Sequence, residues 1–209
     1  MTQVLHFSAA TAAPSPETPS HRRIRQASKG LALLFGAIFL AYCLFAAVGV
    51  MAFLVPSAGE HLLIGPKGIV LMIGPAPAHR LAAPPSGYLA VASLPLLQRL
   101  IHIAVSPLVI LPGVMVFWNL RRLFGLYGRG VVFSEANARL IKHIGLWLVA
   151  NALAPLLTTN ILAVLHMQID QNWFHADTIP KIILGGVVYV IGMVMEVGRQ
   201  IEEEQGQFV

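Results

Sequence analysis

Four apolar runs, each of roughly twenty residues and almost free of charge, constrain this chain more than any other feature: 30–55, 98–120, 144–165 and 179–197. A helix needs about 20 apolar residues to cross a hydrocarbon core about 30 Å thick. Inside lipid a backbone N–H or C=O has no water to bond, so a spanning segment must satisfy itself as a helix or a closed barrel. The runs lack strand-period alternation, so they read as spanning helices. Charged residues make up 11% of the chain, against about 25% in an ordinary soluble domain, which argues against a water-soluble fold. The expected fold is an all-α membrane protein, with four transmembrane helices in an antiparallel bundle over residues 30–209. Residues 1–29, rich in Ala, Thr, Pro and Ser without hydrophobic period, read as a disordered cytoplasmic tail.

His21, Arg22, Arg23, Arg25 and Lys29 precede the first run. A cleaved signal peptide is the rival reading of this N-terminus. Its polar part is too long, and the run exceeds the 7–15 residues of a signal core, so an uncleaved span is expected. Between the first and second spans, His61–Ile64 and Gly68–Ile73 are bracketed by Gly65-Pro66 and Gly74-Pro75. That bracketing reads as two short strands or extended pieces, either a hairpin or an interfacial flap. Lys67, Arg80 and seven prolines between Pro56 and Pro95 argue against a fifth span here. Within the second span, Pro107 and Pro112 predict a kink. In the third, Asn151, Thr158, Thr159 and Asn160 predict hydrogen bonds between helices or a polar path. Pro180 suits the first turn of the last helix.

The most specifically patterned segment is Leu120–Gly145, between the second and third spans. Leu120, Leu123, Phe124 and Tyr127 form one helical stripe, with Arg121 and Arg122 off it. Gly128-Arg129-Gly130 stops that helix, because glycine accepts the left-handed conformation of a helix end. Ser134 is the expected N-cap of the next helix, and Glu135 suits its positive end. The segment therefore reads as an ordered helix–turn–helix connection.

Basic residues orient the chain. Arg22, Arg23, Arg25, Lys29, Arg121, Arg122, Arg129, Arg139, Lys142 and Arg199 fall on one side, and Lys67, Arg80, Arg99 and Lys181 on the other. Ten against four places both termini and the central connection in the cytoplasm. Trp118 and Trp147 then both sit at the cytoplasmic interface, which indole rings favour. The net charge of +5 is explained by this bias, and no direct nucleic-acid contact is expected. The lone Cys43 cannot form an intramolecular disulfide and reads as a packing residue.

On the fourth span, Gly185, Tyr189, Gly192, Glu196, Arg199 and Glu203 share one face. The glycines allow close approach of another helix, so that face should point into the bundle. Glu196 is then expected to pair with Arg199, or across the bundle with Arg121 or Arg122, unless it is solvated. No phosphate loop, nucleophile elbow or metal-spaced Cys/His cluster is present. His166, His175, Asp170 and Asp177 are the nearest approach to a metal set, and their spacing fits an ordinary polar loop. His102 and His143 lie near opposite span ends and read as interfacial anchors.

The segment LFGLYGRGVVFSEANARLIKHIG and the ending VGRQIEEEQGQFV resemble the bacterial membrane family catalogued as domain of unknown function 2975. The matching residues are Phe133, Ser134, Asn137, Gly198, Glu203 and Glu204. The resemblance covers roughly residues 30–209 and is strongest after residue 117, while the proline-rich first loop departs from it. It implies a four-span protein of the bacterial inner membrane and no known reaction. It also implies a small helix-turn-helix regulator as a partner, because such a gene often adjoins members of this kind.

The expected function is that of a non-enzymatic regulatory or accessory membrane protein, needing no cofactor. Its lipid or partner contacts are expected at Arg121, Arg122, Arg129, Ser134, Glu135, Asn137, Glu196 and Arg199. A small transporter or channel subunit is the alternative, suggested by the broken second span and the polar third. A lipid-directed enzyme has no supporting constellation.

Overall fold

The computed structural model describes residues 19–55, 62–65, 68–71, 89–131, 134–165, 167 and 178–206. Four helices dominate: α1 (Pro19–Leu54), α2 (Leu96–Tyr127), α3 (Glu135–Val164) and α4 (Thr178–Gly206). All four are long and apolar enough to cross a membrane, the mark of a multi-pass membrane protein. They contain 36, 32, 30 and 29 residues, or roughly 44–54 Å at 1.5 Å per residue. Each is therefore longer than the apolar run inside it. In particular, α1 begins at Pro19, so residues 19–29 are helical where a disordered tail was expected. Proline fits a first helical turn, and the arginines that follow are good helix formers. Residues 1–18 lie outside the described residues.

Neighbouring helices pack in chain order: α1 on α2, α2 on α3, and α3 on α4. Aromatic pairs line the α1–α2 seam. Phe35 stacks on Phe124 with ring centroids 5.3 Å apart, Phe39 meets Trp118 at 5.4 Å, Tyr42 meets Phe117 at 5.8 Å, and Phe53 stacks on His102 at 5.6 Å. Numbers rising along α1 thus meet numbers falling along α2. The α3–α4 seam behaves the same way, with Ala138 and Lys142 beside Gly192, and Gly145 and Val149 beside Gly185. The start of α1, the α2–α3 turn and the end of α4 therefore share one end of the molecule, the turn end.

At the opposite end lies a small sheet of β1 (Leu62–Gly65), β2 (Gly68–Leu71) and β3 (Leu89–Ala90), in the order β2-β1-β3. Leu62 pairs with Leu71 and Gly65 with Gly68, so the two expected extended pieces form an antiparallel hairpin. Its connecting residues, and most of the proline-rich stretch, lie outside the described residues. Leu63 pairs with Ala90 of the unexpected third strand. Ile64, Val91 and Leu94 bury against Ala52 and Phe53 at the end of α1, which ties this sheet to the helices.

The prolines leave α2 and α3 continuous. Pro107 cannot bond the carbonyl of Ile103, four residues earlier. The Ser106 hydroxyl donates to that carbonyl instead, at 2.8 Å. Other polar groups in the spans also turn to their own helix. Asn119 Nδ2 donates to Met115 O and Asn160 Nδ2 to Leu156 O, both at 2.7 Å, and His102 Nδ1 lies 2.8 Å from Gln98 O. For Asn160 this replaces the expected bond between helices: the amide reaches a local carbonyl without needing a neighbour.

Candidate site at the turn end

The turn between α2 and α3 is built from backbone rules. Val131 N–H donates to Leu126 O at 3.1 Å, and Gly130 N–H to Tyr127 O at 3.0 Å. Together with Gly130 at φ 83°, these bonds form a Schellman stop, which satisfies carbonyls a helix end leaves open. The left-handed residue is Gly130, while Gly128 remains right-handed. At the other side of the turn, Ser134 caps α3 as expected, accepting from Asn137 N–H at 3.2 Å.

Asn137 then joins the stop to the start. Its Nδ2 donates to Val131 O at 2.7 Å, and the residue is fully buried at 0% exposure. The sequence marked Asn137 only through the family resemblance. A short polar side chain three residues after an N-cap serine was the available signal, because it can bond back into the preceding turn. Beneath the turn, Leu123, Leu140, Ile141 and Ile144 form a buried core, with Val188 and Met195 of α4 against it.

The glycine face of α4 meets α3 directly. A Cβ added to Gly145 would lie 2.5 Å from Tyr189 N and 2.6 Å from Gly185 O. One on Gly185 would lie 2.7 Å from Val149 Cγ2, and one on Gly192 2.7 Å from Lys142 Cγ. Real Cβ contacts are not this short, so backbone meets backbone along this seam.

Next to Gly192, Glu196 finds its partner. Lys142 Nζ donates to Glu196 Oε2 at 2.7 Å, with both side chains mostly covered. This corrects the expected pairing with Arg121, Arg122 or Arg199. Gly192 opens a notch for the lysine stem, and the α3–α4 register places Lys142 opposite. Arg199 instead pairs with Glu203 one turn on, and Arg139 pairs with Glu135. Arg121 turns the other way, its guanidinium carbon 5.7 Å from the Trp118 ring centroid. Arg122 and Arg129 are exposed, and Arg129 Nε donates to Gly125 O at 3.3 Å. The candidate residues thus share one end of the molecule but form two groups: Ser134, Glu135, Asn137, Glu196 and Arg199 on or capping α3 and α4, and Arg121, Arg122 and Arg129 on or just beyond α2.

The Lys142–Glu196 pair gives a direct test. Glu196→Lys should lower the thermal midpoint of the purified protein, because two ammonium groups would then meet in one notch. Lys142→Glu combined with Glu196→Lys should recover part of the loss. A double-mutant cycle over the two positions reads the coupling, and strictly additive losses would remove the pair from the account.

Among the described residues, no three His, Cys, Asp or Glu side chains gather as a metal site. The expectation about His166, His175, Asp170 and Asp177 falls outside those residues. A cavity of about 460 Å³ opens between α1 and α2, lined by residues including Ala46, Val50, Ser106, Pro107, Ile110 and Val114. It is apolar and distant from the turn.

No curated protein and no solved structure matches the chain. A family model described as protein of unknown function, DUF2975, matches residues 75–207. That stretch holds the turn, both of its helices and α4, and leaves α1 and the β1–β2 hairpin outside, so the match is shorter than the resemblance from residue 30 onward. The chain belongs to this DUF2975 family, and its matched part contains the turn between α2 and α3 and the glycine-packed seam to α4.

Proposed function

We propose that this is a non-enzymatic protein of the bacterial inner membrane, its helices packed as an antiparallel bundle with both termini in the cytoplasm. The sheet then lies on the extracytoplasmic side. In this reading the turn end is a rigid cytoplasmic platform that engages a regulatory protein, with a small helix-turn-helix regulator as the expected class. The observation that carries the reading is the concentration of specific structure at that end: the Schellman stop, the Ser134 cap and the Asn137 bridge. A merely connecting loop needs none of these. The exposed acidic residues Glu203 and Glu204 extend the platform along the end of α4.

Transport has less support. The described cavity is apolar, and the pairs Glu135–Arg139, Lys142–Glu196 and Arg199–Glu203 sit at the turn end, whereas transport paths usually carry ionisable groups at mid-membrane depth.

The test is genetic. Deleting the gene should change transcription of its neighbours at least about twofold, and a full-length Glu135→Lys, Glu203→Lys, Glu204→Lys variant that still accumulates in the membrane should reproduce the change. Unchanged transcripts in the deletion strain, across stress conditions, would overturn the regulatory reading.

A further inference from the structure

The cations of the turn end are partitioned. On α3 and α4, Arg139, Lys142 and Arg199 each hold a carboxylate. On the α1–α2 side, Lys29, Arg121, Arg122 and Arg129 have no carboxylate within ion-pair distance among the described residues. Positive-inside bias explains why cations gather at this end, but it does not explain why these four are left without a carboxylate; Arg25, one turn before Lys29, is engaged and is not one of them.

Two of these cations lie along the α1–α2 seam. The Lys29 stem rests across α2, its Cγ 3.1 Å from where a Gly128 Cβ would be. Arg121 rests across α1 in return, its Cδ and Nε 3.5 Å from the corresponding position at Gly36. The glycines on both helices leave room for these crossings. Lys29 and Gly36 are seven residues apart on α1, or about 10 Å along its axis. Arg121 also sits beside the Trp118 ring, and indole rings mark the depth of lipid head groups. Long basic side chains with stems on protein and charges at that depth are arranged to meet phosphate.

We propose that the turn end of the α1–α2 seam binds the phosphates of anionic phospholipids, Lys29 at its Gly128 crossing and Arg121 at its Gly36 crossing, with Arg122 and Arg129 adding charge from the same side. Charge complementarity selects the occupant: the four cations have no carboxylate partner among the described residues, and in the proposed topology they lie at the membrane interface. The α3–α4 side and the tail remain for a protein partner, so this site stands or falls separately from the regulatory reading.

The test uses the full chain in nanodiscs of phosphatidylcholine with a minor fraction of phosphatidylglycerol, with retained lipid identified by native mass spectrometry. Phosphatidylglycerol should be retained over phosphatidylcholine. Lys29→Gln and Arg121→Gln should each weaken that retention about fivefold, the equivalent of ~1 kcal/mol per basic residue at an anionic surface. Arg139→Gln, on the neutralised side, should leave it unchanged. Lys29 is exposed, so Lys29→Gln carries the test even where Arg121→Gln proves unstable. Equal retention of both lipids, or an equal loss in Arg139→Gln, would overturn the proposal in favour of diffuse positive charge. Displacement of the retained lipid by inorganic phosphate alone would also overturn it, by assigning the site to a soluble anion.

Discussion

Gly145→Val is expected to be the most damaging single substitution in the protein, costing about 3 kcal/mol or more, the upper end of what overpacking costs. The added Cβ would start 2.5 Å from Tyr189 N, and its neighbours are backbone atoms that cannot rotate away. Relief requires α3 and α4 to separate, which breaks the Gly185 and Gly192 contacts and moves Lys142 from Glu196. Gly185→Val should behave alike, since its Cβ would meet Val149 N at 2.9 Å and Gly145 O at 2.8 Å. Gly186 supplies the control. Nothing lies within 4 Å of a Cβ there, so Gly186→Ala should be neutral or stabilising by roughly 0.5–1 kcal/mol, the ordinary gain from alanine in a helix. Unfolding of the full-length protein by a graded denaturing detergent reads all three. Equal stability of Gly145→Val and Gly186→Ala would show that the seam is not close-packed.

Asn137→Leu should cost about 1–3 kcal/mol, although leucine keeps asparagine's branching. The substitution removes the donor to Val131 O and puts a bulkier apolar side chain in a fully buried site shaped for an amide, so an overpacking cost adds to the lost bond. Ser134→Ala removes only the cap and should cost about 1 kcal/mol. The two readouts should differ in place as well as size. Ser134→Ala should speed amide exchange in the first turn of α3, whereas Asn137→Leu should speed it on both sides of the turn. A change confined to α3 in Asn137→Leu would remove the bridge from the account.

The sequence made some of this legible because the physics was local. Spanning length marked four helices, Gly128-Arg129-Gly130 marked a left-handed stop, and Ser134 marked a cap. The glycine face of α4 was readable from spacing alone, and the structure places that face against α3. Helix period says which residues share a face, but not which helix lies opposite or at what height. Lys142 meets Glu196 because Gly145 and Gly185 fix the α3–α4 register, a property of two distant segments together. The same limit hid Lys29, whose stem crosses to Gly128 nearly a hundred positions away. The third strand was missed for another reason: Leu89–Ala90 is too short to show alternation. The polar ends of α1 and α4 lie beyond the apolar runs, because helix continues where hydrophobicity stops.

The central claim is that the α2–α3 turn and the end of α4 face the cytoplasm together, with the sheet across the membrane. Single cysteines at Ser93, Arg129 and Gln205, each on a Cys43→Ala background, test it with a membrane-impermeant maleimide on intact spheroplasts. The account predicts that Ser93→Cys is labelled, while Arg129→Cys and Gln205→Cys react only after the membrane is opened. Labelling of either Arg129→Cys or Gln205→Cys in intact spheroplasts, to the extent seen for Ser93→Cys, would contradict it.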